Sequence, residues 1–481
     1  MSGAGDRFLG DLRAGLGDRA VVTDPDILEG HRHDSASFCP AGSPRALVRP
    51  ASTSEVQHVV RTAGAHRVPV VTQGARTGLS GGANAVDGCV LLSTEQMSRI
   101  LELDVADQVA VVQPGVVNAT LSRAVAERGL FYPPDPSSWE QSTIGGNVAT
   151  NAGGLCCVKY GVTADFVRGL EVVLGTGEVL RTGRRTAKGV AGYDLTRLVV
   201  GSEGTLGVVT EVTLALRPAP EPALTVAASF RTGEDALRAA AAVMACGLRP
   251  SLLEFIDQTT ARAIQSYRDM GLPEDVGGLL LAQSDRGALA AADIGRVAGI
   301  CADHDAIDVA EASDAQDSEL LLEARRLVNA GLELLGVKLV DDVAVPRPRL
   351  PELLRGVQQI AEDLDVLIAC PGHVGDGNMH PTVIIDRDDP DGERRAVLAF
   401  DAVMDLGLRL GGTITGEHGV GSLKRRWLER ELGTTGAALH RRIREIFDPL
   451  GVLNPGKVLE PLPPESAPGT PPGTPTGTPP R

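Results

Sequence analysis

Two long glycine-rich loops constrain this chain more than any other feature. The first, Gly74-Ala-Arg-Thr-Gly-Leu-Ser-Gly-Gly82, is entered directly from the strand-like run Val68-Pro-Val-Val-Thr-Gln73, and the second covers Pro133 to Gly154. Glycine makes up 57 of 481 residues, about 12% against a usual ~7%, and it is concentrated in loops of this kind. A glycine turn after a strand gathers successive backbone amides without Cβ interference, and such a nest binds phosphate. A tight structural turn is the alternative, and one loop alone would not decide between them. Neither loop fits G-x-G-x-x-G opening a helix or G-x-x-x-x-G-K-[ST], so a Rossmann or P-loop assignment is disfavoured.

The length predicts at least two domains. A formal charge of −16 and a pI near 5.1 oppose a nucleic-acid or anionic-membrane partner, which needs clustered Lys and Arg. No apolar run approaches the roughly 18–20 residues that span a bilayer. The first twenty residues carry Asp6, Asp11 and Asp18 and no sustained apolar segment, so neither an export signal nor an anchor is expected. Seven scattered cysteines with no CxxC pair suit reduced thiols and a cytoplasmic location.

From Ala46 the order reads strand, helix, strand. Ser52-x-x-Glu55 is a capping box, and Val56, Val59, Val60 and Ala63 share one buried face of the helix. A strand over Cys89–Ser93 follows. β-branched segments between Leu170 and Leu216, around Gly175-Thr-Gly177 and Gly201-Ser-Glu-Gly204, read as strands and hairpins. Arg217-Pro-Ala-Pro-Glu-Pro222 is the best domain boundary. Beyond it, helices alternate with strands such as Val226–Phe230 and Val366–Cys370, and two last helices are predicted between Ser422 and Phe447. The Pro/Gly/Thr repeats of 461–481 cannot bury enough apolar area to order themselves and are read as a disordered tail.

The most specific segment is Cys370-Pro-Gly-His-Val-Gly-Asp-Gly-Asn-Met-His-Pro-Thr382. Asp376-Gly377 is a favoured pair for a two-residue type I′ turn, which predicts Val374 opposite Met379 and His373 directly opposite His380. Their Cβ atoms would lie about 4.5–5.5 Å apart, close enough for two imidazoles to share a divalent ion. Pro371 and Pro381 remove ladder donors and predict an edge or bulged hairpin. Two histidines that merely cap a turn are the alternative. Gly412-Thr-Ile-Thr-Gly-Glu-His-Gly-Val-Gly421 adds a carboxylate, Glu417, and an imidazole, His418, where glycines permit close approach.

The segments Thr72–Gly82, Pro133-Pro-Asp-Pro-Ser-Ser138, Ile144-Gly-Gly-Asn147, Asn151-Ala-Gly-Gly154, Gly201-Ser-Glu-Gly-Thr-Leu-Gly-Val-Val-Thr-Glu211 and Leu453-Asn-Pro-Gly-Lys457 carry a resemblance. Together they resemble the vanillyl-alcohol oxidase (PCMH-type) FAD-binding superfamily, in its glycolate oxidase, D-lactate dehydrogenase and D-2-hydroxyglutarate dehydrogenase branch. The resemblance implies an α+β fold. A two-subdomain FAD-binding domain would occupy residues 1–217, with its core at about 42–217. A substrate (cap) domain with an antiparallel sheet would occupy 218–420, and C-terminal helices at 421–460 would complete the first domain. It places FAD on Gly74, Ala75, Arg76, Thr77, Gly78, Pro134, Asp135, Ser138, Ile144, Gly145, Gly146, Gly154, Val209 and Asn454. Some members tether FAD through a histidine in the first loop; this loop has none, which implies non-covalent binding.

The same resemblance makes His373, His380 and Glu417 ligands of one divalent transition metal (Zn, Mn, Fe or Co) and His418 the catalytic base. Leu322-Glu-Ala-Arg325 resembles the segment whose arginine holds the substrate carboxylate, with Arg326 as a solvated charge. Thr382, on the histidine face, is a further substrate contact. The implied reaction oxidises a small 2-hydroxy acid to the 2-oxo acid: His418 takes the hydroxyl proton as hydride passes from C2 to flavin N5. The electrons then go to an unidentified acceptor, with partner subunits and a homo-oligomer left open. An alkylglycerone-phosphate synthase-like enzyme and a non-catalytic FAD-binding subunit of a multi-subunit oxidase are the rivals, and intact His373, His380, Glu417 and His418 weigh against both.

Overall fold

The computed structural model describes residues 3–459, so the tail at 461–481 lies outside the described residues. The fold opens with a mixed four-stranded sheet in the spatial order Val21–Val22, Ala46–Val48, Val90–Ser93, Val70–Gln73, the last three parallel. Helix Thr53–His66 crosses over between two of these strands, as parallel pairing requires. Ser52 Oγ accepts the Glu55 amide at 3.3 Å, and the Glu55 carboxylate accepts the Ala51 amide at 2.8 Å. Val56, Val59, Val60 and Ala63 are fully buried against the sheet, as their helical spacing predicts.

A second sheet of five antiparallel strands follows: Ile100–Asp104, Val109–Val112, Val208–Ala215, Val167–Val173, Val179–Gly183. The segment before Gly201–Gly204 is not the predicted hairpin but a short helix, Leu195–Val199. Asp194 caps it, accepting the Arg197 amide at 3.0 Å, and an aspartate N-cap offers the backbone a partner that a strand ladder does not. Glu203 then sits at φ 52°, which turns the loop back toward the first sheet.

The antiparallel sheet expected of the cap has seven strands, in the order Ala306–Glu311, Leu224–Phe230, Gly278–Ser284, Leu252–Asp257, Gly372–His373, Asn378–Met379, Val343–Ala344. Both faces are covered. Helices Gly233–Ala245, Ala290–Asp303, Leu350–Leu364 and Gly392–Arg409 share one core with Phe230 and Phe255, while the other face packs on helices Gln258–Tyr267 and Ala315–Arg326. Helix Leu350–Leu364 shows why it docks there: Leu350, Leu353, Leu354 and Val357 form a single buried stripe. The chain then returns to where it began. Helix Arg425–Phe447, broken at Gly433 (φ 68°) into the two expected pieces, leads to a segment that bonds to the first sheet. The Val70 amide donates to Val452 O and the Asn454 amide to Val70 O, each at 2.8 Å.

The His373 hairpin departs from expectation in register. His373 pairs with Asn378 and Gly372 with Met379, so Val374–Gly377 is a four-residue connection and His373 does not face His380 directly. A type I′ turn needs positive φ at both central residues, and here Gly377 has it (φ 81°) while Asp376 does not. The connection is instead two overlapping turns, Asp376 N to His373 O at 3.0 Å and Gly377 N to Val374 O at 3.2 Å. Nor is the hairpin an edge: it lies between Leu252–Asp257 and Val343–Ala344. Pro371 and Pro381 fall just outside its two-residue strands, so neither removes a ladder donor.

Candidate active site

Both glycine-rich loops face one cleft. Gly74, Ala75, Arg76, Thr77 and Gly78 line one wall, with Ser138, Gly145, Gly146 and Val209 opposite. No protein acceptor among the described residues takes the amides of Ala75 to Leu79, and Arg76 is held at φ 60°. A row of unspent amides in a glycine loop suits the pyrophosphate of FAD. A Cβ at Gly74 would collide with the hydroxyl of Thr143, so glycine keeps the two walls close. Pro134, Asp135, Ile144, Gly154 and Asn454 lie behind the lining rather than in it. Asn454 donates to Gly82 O (2.9 Å) and Glu203 O (2.7 Å), and the Pro134 carbonyl accepts from Asn118 at 2.9 Å, so both shape the wall indirectly.

Glu417 and His418 close one end of the same cleft. Around Glu417 Oε1 stand His373 Nε2 at 3.1 Å and His380 Nε2 at 3.3 Å, and one ligand atom from each of the three residues lies within 4.8 Å of the others. The two imidazoles are 5.0 Å apart between centroids and nearly perpendicular, at 83°, so lone pairs in their planes can converge on one point. A second trio, Asp342, His380 and His418, is equally close, but His380 and His418 are stacked in parallel (4.8 Å, 11°). In-plane lone pairs of stacked rings converge poorly, so of the two the first trio is the better placed to hold an ion.

Charge favours a cation there. Burial disfavours the His373 imidazolium, but Glu254 and Glu417 outweigh it and hold the group well above its ordinary value. Burial likewise raises Glu417, and His373 and His380 pull it far below. Uncompensated carboxylates are costly in such a site, and the donor set of two imidazoles and a carboxylate suits a divalent transition ion. His418 differs: burial pushes it down to about 4, with Asp342 opposing and His380 adding to the shift, so its ring is neutral near pH 7.

Buried groups that sequence reasoning missed hold these residues. Glu254, in the middle of strand Leu252–Asp257, accepts from His373 Nδ1 at 2.7 Å and from Arg325 Nε at 2.7 Å. Asp342 Oδ2 accepts the amides of Glu417 and His418, each at 2.9 Å, and the Thr415 hydroxyl at 2.7 Å. Lys424, fully buried, donates to Asp342 O and Ile414 O. Glu203 accepts the amides of Val420 (2.7 Å) and Gly421 (2.8 Å), and a Cβ at Gly153 would collide with the Glu417 carboxylate. The available signal was an acidic residue flanked by apolar ones in the middle of a strand, as at Glu254, and the Asp341-Asp342 pair between β-branched runs.

Arg325 reaches the group through Glu254 and does not itself line the cleft, while Arg326 is exposed and pairs with Glu319. Thr382 is buried in its strand, and its hydroxyl donates to His380 O at 3.1 Å; it does not line the cleft.

Comparison with known proteins agrees with the cleft and the sheets. Residues 44–183 match the FAD binding domain and residues 219–458 match the C-terminal domain of FAD linked oxidases. The chain is 42% identical over 417 residues to glycolate oxidase subunit GlcD of Bacillus subtilis, covering 86% of this chain and 89% of that one. It is 34% identical over 450 residues to D-lactate dehydrogenase of Anaerostipes hadrus, covering 92% and 94%. The fold is shared with 4-ethylphenol oxidase from Gulosibacter chungangensis (TM-score 0.79, 19% identity, covering 95% and 97%). Fold and cleft together define a flavin-dependent oxidoreductase with a PCMH-type FAD-binding domain and a second α+β domain. Within that class, the chain belongs to the FAD-linked oxidase family represented by the glycolate oxidase subunits and D-lactate dehydrogenases.

Proposed function

We propose that this chain oxidises a small 2-hydroxy acid of the lactate, glycolate or 2-hydroxyglutarate type to its 2-oxo acid. One observation carries the reading: Glu417 and His418 line the cleft that the glycine loops build, and His373 and His380 gather on Glu417 behind them. FAD in the glycine-loop cleft would supply a hydride acceptor, and a divalent ion held by His373, His380 and Glu417 would supply a Lewis acid for the hydroxyl.

The chain's own residues supply the rest. Arg325 spends Nε on Glu254, which leaves its outer guanidinium edge for the substrate carboxylate. His418, neutral and lining the cleft, takes the hydroxyl proton. Intact His418 and the His/His/Glu set weigh against a non-catalytic subunit and against a synthase that uses FAD without net oxidation. Electron transfer to a separate acceptor and a cytoplasmic location belong to the same proposal; seven free thiols support the latter. Among the described residues no helix is long and apolar enough to cross a membrane.

The test is anaerobic mixing of the FAD-loaded protein with a panel of D- and L-2-hydroxy acids. Loss of the oxidised-flavin absorption band with at least one acid is expected. A fully oxidised spectrum with every acid overturns the reading.

A further inference from the structure

Glu254 is fully buried, at 0% exposure, and both of its oxygens are spent on functional groups of the site. Oε1 receives His373 Nδ1 and Oε2 receives Arg325 Nε, each at 2.7 Å. It stands on a strand whose every residue is buried, flanked by Leu253 and Phe255, so its Cα is fixed by the sheet. Burial disfavours its charge, and His373 and Arg325 together overcome that.

We propose that Glu254 is a positioning residue that sets the spacing between two clamps: Arg325, which receives the substrate carboxylate, and His373, which ligates the metal beside the hydroxyl. This rests on the roles given to Arg325 and His373 above. In a 2-hydroxy acid the carboxylate and the hydroxyl sit on adjacent carbons, so the two clamps must hold one short, fixed separation. A single rigid carboxylate between them sets it, and it selects against 3-hydroxy acids, whose groups lie one carbon farther apart. Glu254 also fixes the tautomer: by accepting from Nδ1 it leaves Nε2 of His373 for the metal.

Glutamine at this position can serve only one arm. If its oxygen keeps Arg325, its amide faces His373 Nδ1 and drives the ring proton onto Nε2, where it blocks ligation. If it turns the other way, two donors meet at Arg325.

The test uses full-length, FAD-loaded Glu254→Gln and Glu254→Asp, with FAD content and thermal midpoint reporting the fold. Glu254→Asp keeps the charge but is one methylene short of spanning both partners. Zn(II) affinity is read by chelator competition, and KM and kcat for the best 2-hydroxy acid are read at saturating Zn(II). Expected are FAD retained at the wild-type level, Zn(II) held roughly 10–100-fold more weakly, and a raised KM. The KM effect should vanish in an Arg325→Met background, because with only the His373 clamp left there is no spacing between two clamps to set. Should Glu254→Gln fail to hold FAD, Glu254→Asp carries the test alone. Either variant with wild-type Zn(II) affinity and wild-type KM overturns the inference. A wild-type protein that binds no metal, or an Arg325→Met variant with unchanged KM, overturns the functional reading itself, so the two failures are distinguishable.

Discussion

The imidazole of His373 stands nearly perpendicular to that of His380, at 83°, with 5.0 Å between ring centres. This crossed arrangement, rather than the side-by-side pair the hairpin motif predicts, lets both Nε2 atoms approach Glu417 Oε1. Replacing either histidine by Ala should abolish stoichiometric metal while FAD remains bound, because the glycine loops are built from other elements. Elemental analysis alongside the flavin spectrum checks this, and one metal per chain in both variants would refute the site.

The cofactor should leave the chain on denaturation. Neither the first glycine loop nor any other described cleft-lining residue offers a cysteine or tyrosine, and His418 is the sole histidine among them. Precipitating the yellow protein with acid should release all of its flavin to the supernatant; colour retained on the pellet would defeat the expectation.

His418 and Arg325 should fail in different ways. His418→Ala is expected to slow flavin reduction by roughly 10²–10⁴-fold, the range of a positioned general base, with a smaller effect on binding. Arg325→Ala should chiefly raise KM, because a carboxylate contact exists in ground and transition states alike. Arg326→Ala, changed at an exposed ion pair, should do neither. Stopped-flow reduction separates the three, and a wild-type rate for His418→Ala removes it from the role of base.

A pH effect on stability is expected from Glu203, whose carboxyl burial pushes up from its ordinary 4.5 to about 7. A folded-state value above the unfolded one favours the protonated form. The contribution is therefore complete below about 4.5 and is lost as pH rises through about 7. Glu203→Gln cannot ionise, and its single oxygen gives up one of the two amides from Val420 and Gly421. The melting advantage of wild type over the variant should thus be larger at about pH 5 than at about pH 8. A difference independent of pH contradicts the assignment.

The elements that repeat a local rule were legible in the sequence. The capped helix at Thr53–His66 and the glycine loops on the cleft depend on residues near each other in the chain. Register was not, because the tip of the His373 hairpin is set by distant contacts. A Cβ at Gly375 would press on Val158 and Leu253, and Arg347 Nε donates to its carbonyl at 2.5 Å. Glu254 and Asp342 were missed for a related reason. Each acts through groups more than seventy residues away, His373 and Arg325 for one, the loop Thr415–His418 for the other, and nothing in their immediate sequence names those partners.

Gly153 and Glu203 belong to the half of the chain that builds the flavin cleft, yet one abuts the carboxylate of Glu417 and the other grips the amides of Val420 and Gly421. The Glu417 loop is thus moulded on the surface of the flavin half, and the two halves are not interchangeable parts. A chimera that joins the N-terminal half of one relative to the C-terminal half of another inherits a working centre only if the loop and its mould are exchanged together. The seam along which such enzymes can be recombined runs through Gly153, Glu203 and 417–421, and not through the proline-rich linker at 217–222.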